Sequence, residues 1–172
     1  MPYTPAITPT LTTDEPAPEA LAFAAVMDVL VDDPGLQACG TKIVTYSSGP
    51  DESQKTKPQP NVEDLPYCRV MLERTASNRE TERTHVVRLF IGFELFVRGP
   101  SETDLLNFAH RVRRALKPTD PALYAAARTK LTTQGHVGER ITIQLSKSGS
   151  IGQSEHGLTT YVVLEIVLEV NT

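Results

Sequence analysis

The clearest feature of the chain is an alternation of apolar and polar positions in two long segments. Residues 158–170 form one segment, and from position 162 every second residue is apolar: Val162, Leu164, Ile166, Leu168 and Val170. Residues 86–98 alternate in the same way, with Val87, Leu89, Ile91, Phe93, Leu95 and Val97 on one side. Successive side chains of a strand point to opposite faces, so both segments predict long strands with one apolar face. Such strands need a layer of helices on that face.

Two segments with helical spacing of apolar residues predict this layer. Residues 18–32 begin at Pro18, and proline is favoured in the first turn of a helix. Residues 101–117 begin at Ser101, a good capping residue, with acidic residues in the first turn and basic residues towards the end. A third, shorter helix is predicted over residues 121–129.

Three shorter segments, residues 41–46, 67–72 and 141–145, predict additional strands, while residues 73–83 and 149–157 are predicted to be turns. The order is helix, strand, strand, long strand, helix, short helix, strand, long strand. This order predicts an α+β fold with a mainly antiparallel sheet of about four to five strands and helices packed on one face.

Two segments contain few or none of the large apolar residues that a core needs. Residues 1–17 form an extended arm rich in threonine and proline, and residues 47–61 form a polar loop. Neither can offset its ordering entropy by burial. We therefore predict a single α+β domain over residues 18–172, with a flexible loop at 47–61 that contacts a partner.

Composition narrows the functional class. The 172 residues carry a formal charge of −4. A protein that binds nucleic acid without sequence preference normally has a basic surface, so the charge argues against that class. No apolar run reaches the length of a membrane span, and no secretory signal is present, so a soluble intracellular protein is expected. Cys39 and Cys68 are expected to be buried and reduced.

No catalytic, cofactor-binding or metal-binding residues are predicted. The four histidines show no metal-ligand spacing with one another or with a cysteine: His85, His110, His136 and His156. His136 lies between glycines, which is typical of a turn. The glycines of residues 149–157 lack the spacing of a phosphate-binding loop, and no nucleophile is paired with a base. We therefore expect the protein not to be an enzyme.

The second face of the two long strands carries charges of both signs and two aromatic residues. These residues are Arg88, Phe90, Glu94, Phe96, Arg98, Glu165 and Glu169. Exposed aromatic residues among complementary charges are typical of an interface with a partner or a second subunit. We predict that these seven residues form such an interface, the alternative being an ordinary solvated face.

The order of these elements resembles that of the tail terminator (tail-completion) proteins of long-tailed bacteriophages and gene-transfer particles. The similar features are the N-terminal helix at 18–32, a strand pair around the polar loop, the long strand at 85–98, and the Gly99-Pro100-Ser101 break before a helix. A C-terminal strand containing Tyr161 to Ile166 completes the pattern. The resemblance covers about residues 18 to 172 and concerns pattern and order.

The resemblance implies a structural protein of the virion tail, assembled in the cytoplasm of the host bacterium. Such a protein forms a hexameric ring on the end of the tail tube, ends tube growth and provides the surface on which the head–tail connector docks. Its partners would be tail-tube protein and connector protein, and DNA would pass through the lumen without specific binding. Two alternatives stay open: a head–tail connector or neck protein, and a small-molecule-binding regulatory α+β domain with an apolar pocket.

Overall fold

The computed structural model describes residues 17–45, 60–116, 120–133 and 137–171, and shows an α+β fold with a six-stranded, mostly antiparallel sheet. The predicted fold class is therefore confirmed. Nearly all of the predicted arm and the predicted loop lie outside the described residues, as does His136.

The helices begin at residues suited to that position. They are α1 (Pro18–Val31), α2 (Pro34–Ala38), α3 (Glu102–Leu116) and α4 (Pro121–Thr133), with a short 3₁₀ helix at Val62–Asp64. The Ser101 hydroxyl accepts the backbone N–H of Asp104 at 3.2 Å, as expected for a helix cap. The Asp120 carboxylate caps α4 in the same way, accepting the backbone N–H groups of Ala122 and Leu123. No helix among the described residues is long and apolar enough to cross a membrane.

The strands are β1 (Lys42–Thr45), β2 (Tyr67–Arg79), β3 (Thr84–Arg98), β4 (Val137–Ser148), β5 (Gly152–Ser154) and β6 (Gly157–Asn171). They form one sheet in the order β1-β2-β3-β6-β4. Strand β1 runs parallel to β2, and all other neighbours are antiparallel. Strand β5 pairs with β6 beyond the end of β4.

Two predicted turns contain strand. Residues 73–79 belong to β2 and pair with β3, although their side chains are exposed. Backbone hydrogen bonds to β3 hold this part of β2 in place. Because its side chains are not buried, the sequence shows no alternation of apolar residues there. A β-bulge lies between Leu72 and Arg74. Within residues 149–157, Gly152–Ser154 form β5, and the predicted helix at 121–129 extends to Thr133.

The hydrophobic core lies between the sheet and the helices α1, α3 and α4. The alternating apolar residues of β3 and β6 point into it as predicted, and Phe93 is completely buried there. On α3 the core-facing residues recur at helical spacing: Leu105, Phe108, Val112, Ala115 and Leu116. Among the described residues, the helices thus cover only this face of the sheet.

The two cysteines are free but differ in their surroundings. Cys68 is buried in β2, and burial raises the pKa of its thiol because the charged thiolate would be desolvated. Cys39 is exposed after α2, so the expectation that both cysteines are buried is wrong for Cys39. The short α2 leaves Cys39 outside the core.

Candidate functional site

The seven residues predicted to form an interface lie on one face of the sheet, opposite the helices, which we call the far face. Five of them alternate along β3 and two along β6. The strand register places Glu165 opposite Phe90, and Glu169 opposite Val86. The structure thus brings the predicted residues together as one continuous surface.

Phe96 is covered by side chains of β2. The guanidinium of Arg69 lies 5.3 Å from the centroid of its ring, and the ring of Tyr67 meets it edge-on at 5.9 Å. Arg69 is only 4% exposed and forms an ion pair with Glu94, its neighbour across the strands. The group buries an aromatic ring under a paired charge, which keeps both the ring and the charge out of water.

Phe90, in the middle of β3, is covered in a similar way. The guanidinium of Arg74 lies 3.9 Å from the centroid of the Phe90 ring. As a result Phe90 is 9% exposed and Phe96 is 2% exposed. The prediction of exposed aromatic residues is therefore wrong, because arginines of β2 cover both rings within the same chain.

Between these two rings, a tyrosine from β6 lies across the backbone of β3. The hydroxyl of Tyr161 donates a hydrogen bond to the carboxylate of Glu73 on β2. It passes directly over Gly92, where a Cβ atom would come within 2.2 Å of the hydroxyl oxygen. Because Gly92 has no side chain, the hydrogen bond between Tyr161 and Glu73 can connect β6 to β2 across β3.

Charged groups of the far face that reach solvent form weaker contacts. Arg88 is exposed and lies 3.2 Å from the carboxylate of Glu165, which also accepts a hydrogen bond of 2.7 Å from Gln144 on β4. Arg98 is exposed at the end of β3. Exposed ion pairs contribute little to stability, so these groups are free to exchange partners.

The sequence contained part of the signal for the residues that cover the far face. Arg69 alternates with Cys68 and Val70 in a segment predicted to be a strand, so its position on the far face could have been inferred. The position of Arg74 could not be inferred, because the polar residues 73–83 predict a turn. Among the described residues, no cluster of three or more His, Cys, Asp or Glu residues could hold a metal ion.

A second candidate surface is formed by the two edges of the sheet. Strand β1 pairs with only the first four residues of β2, so no described strand pairs with the outer side of the remaining nine, 71–79. At the opposite edge, no described strand pairs with the outer side of β4. Unpaired edges present backbone donors and acceptors to other chains.

The helices leave space beside β4. A cavity of 240 Å³ lies between α3 and β4 and is bordered by His110, Arg113, Leu145 and Leu164. Another cavity, of 340 Å³, is bordered by Leu116 and Leu131 of the helices and by Ile141 and Ile143 of β4. The core-facing side of this edge strand is thus incompletely covered.

The basic residues near the end of α3 include one with a structural role. Arg111 binds the carboxylate of Asp33 through two nitrogens, at 2.7 and 2.9 Å. Asp33 also accepts the backbone N–H of Leu36 at 2.8 Å and so caps α2. This ion pair connects the turn between α1 and α2 to α3. Arg111 therefore does more than place a positive charge near the C-terminal end of the α3 dipole.

Comparison with protein-family models produced no match, and a search of curated proteins found no similar sequence.

Proposed function

We propose that this protein is a tail terminator: it assembles into a ring on the end of a phage tail tube, stops tube growth and provides the surface to which the head docks. The element order of the fold supports the resemblance on which this proposal is based. A long strand, a Gly-Pro-Ser break, a helix and a C-terminal strand follow one another in the described residues.

The observation that carries the proposal is that, among the described strands, the sheet has an unpaired edge at each of its two ends. A chain that pairs one edge with the different edge of the next copy makes a head-to-tail contact, and such contacts close into a ring when the rotation permits. Ring formation therefore requires two different surfaces on each chain, and this sheet has them at β2 and β4.

The far face supplies the proposed contact with partner proteins. Its aromatic rings are already covered, so recognition would depend on its charged groups, which are the exposed Arg88 and Arg98 and the partly exposed Glu165 and Glu169. Complementary charge favours fast and selective association more than high affinity. We assign the tail-tube protein or the head–tail connector to this surface.

The test is the effect of the purified protein on tube growth. The tail-tube protein encoded in the same genome is polymerised with and without the protein, and tube lengths are measured by electron microscopy. A terminator shortens the tubes, and the protein is found at their ends. Unchanged tube lengths, with no protein at the ends, would contradict the proposal.

The head–tail connector alternative predicts a different outcome of the same assay. A connector would leave tube growth unchanged and would bind tubes only after they had been capped by another protein. Adding the protein to growing tubes and to capped tubes therefore separates the two functions.

The 340 Å³ cavity gives some support to the small-molecule alternative, since ligand sites begin at about 300 Å³. Its polar border includes Arg128, Thr142 and Gln144. A regulatory domain would retain a ligand there, and mass spectrometry under native conditions would show the added mass. A mass equal to that of the chain, or to a multiple of it, would argue against this alternative.

A further inference from the structure

A row of four apolar residues crosses the helix-covered face of the sheet from one edge to the other. The strand register aligns Leu72 of β2 with Ile91, Ile91 with Leu164, and Leu164 with Leu145 of β4. The inner two residues are buried, whereas Leu72 is 39% exposed and Leu145 is 43% exposed. The row therefore ends at each edge in a leucine that is partly in contact with water.

One edge of the sheet has a cavity, and the other edge presents a side chain that could fill it. Leu145 and Leu164 border the 240 Å³ cavity between α3 and β4, so this cavity lies beside the row. A strand added to the outer side of β4 would place its own core-facing side chain at that position. Leu72 is such a side chain, since it lies on the helix side of β2 at a position where no described strand pairs with the outer edge.

Strand directions and free lengths also agree. Each step from β2 through β3 and β6 to β4 is antiparallel, so β4 runs opposite to β2. When the sheet of one copy continues into the next, β4 and β2 therefore meet as antiparallel neighbours. Pairing that starts at Leu72 and Leu145 runs along 72–79 and back along β4, away from the part of β2 that β1 occupies.

We propose that neighbouring copies join edge to edge, with β4 of one copy pairing with residues 71–79 of the next copy and Leu72 filling the cavity beside Leu145. This inference rests on the proposed ring and identifies the contact that builds it. Each edge strand has a register shift directly beside the row, between Leu72 and Arg74 and between Leu145 and Lys147. A β-bulge bends its strand and changes the direction of the side chains next to it. We therefore assign the register of the proposed contact at Leu72 and Leu145 themselves.

The contact is head-to-tail because its two sides differ. A two-fold dimer would instead place Leu72 beside the Leu72 of the second copy, or Leu145 beside its equivalent. Disulfide trapping distinguishes these arrangements, because paired antiparallel residues lie within the Cα separation that a disulfide needs.

The trapping experiment uses a Cys39→Ser background, since Cys39 is exposed and would react. Leu72→Cys and Leu145→Cys are prepared singly and together, and each protein is oxidised mildly under conditions in which the ring is present. The double variant is expected to form a ladder of covalent multimers, and a mixture of the two single variants is expected to form covalent dimers. Either single variant alone is expected to stay monomeric on a denaturing gel.

Three results would overturn the inference. They are crosslinking of a single variant with itself, the absence of crosslinks in an intact ring, and a ring that survives Leu72→Lys. The matched control for Leu72→Lys is Leu123→Lys, because Leu123 of α4 is 43% exposed and borders neither of the two cavities beside β4. We expect Leu72→Lys to raise the dissociation constant of the ring at least about tenfold, because its ammonium group would lie beside Arg113 and Arg114 in the cavity, while Leu123→Lys leaves it unchanged.

Two readouts keep this inference separate from the function on which it rests. Circular dichroism of Leu72→Lys establishes that the variant is folded. If the unmodified protein forms a ring without crosslinks at these positions, the edge contact is wrong and the terminator function is unaffected. If the unmodified protein forms no ring, even on tail tubes, then the proposed function is wrong as well.

Discussion

At the scale of the residue, the far face shows how a sheet can be closed without a second layer of helices. Arg69 and Arg74 of β2 each lie over an aromatic ring of β3, and Tyr161 crosses Gly92 to reach Glu73. These contacts join three strands by side chains alone. They leave charged groups such as Arg88 at the surface, where a partner can bind them.

A prediction at this scale concerns Arg69. Replacing it with alanine removes the partner of Glu94 and uncovers Phe96, so Arg69→Ala is expected to lower the free energy of unfolding by about 3 kcal/mol. The control is Arg88→Ala, which removes an exposed ion pair and is expected to cost about 1 kcal/mol or less. Urea unfolding measures both values, and equal losses would show that Arg69 is no more important than a surface arginine.

The burial of Phe90 and Phe96 could not have been predicted from the chain alone. Both residues lie among charged residues, and a side chain in that setting is normally assigned to a solvated or interface surface. The arginines that cover them lie 16 and 27 positions earlier in the sequence, and only the register of β2 against β3 reveals this contact. The far face itself was predictable, because it follows from alternation.

At the scale of the element, the strands differ in how clearly the sequence marks them. Strands β3 and β6 are central, and their apolar faces are buried against helices, so alternation marks almost their full length. The outer part of β2 has exposed side chains on both faces, and it is held mainly by backbone pairing with β3. An edge strand of this kind has no apolar period to detect.

A prediction at this scale concerns the contact between α2 and α3. Arg111→Ala leaves the largely buried Asp33 without its ion-pair partner, and is expected to lower the free energy of unfolding by about 3 kcal/mol. Arg113→Ala is the matched control, since Arg113 is exposed on the same helix and should change stability by less than about 0.5 kcal/mol. Thermal or urea unfolding compares the two, and similar losses would contradict a structural role for this pair.

At the scale of the whole molecule, the described part of the sheet is covered by helices on one face and carries charged groups for partner proteins on the other, so its edges are the places left for contacts between copies. Leu72 and Leu145 mark these edges, and the cavity beside Leu145 matches the side chain that the opposite edge presents. Neither edge could be identified from the sequence, because Leu72 and Leu145 are ordinary strand residues until strand order and register are known.

The most direct test of the proposed ring is the native mass of the protein across a wide range of concentration, measured alone and with tail-tube protein. The account predicts a discrete species of six chains, formed by the protein alone or on the ends of tubes. A chain that stays monomeric at every concentration and binds no tube would contradict the central claim.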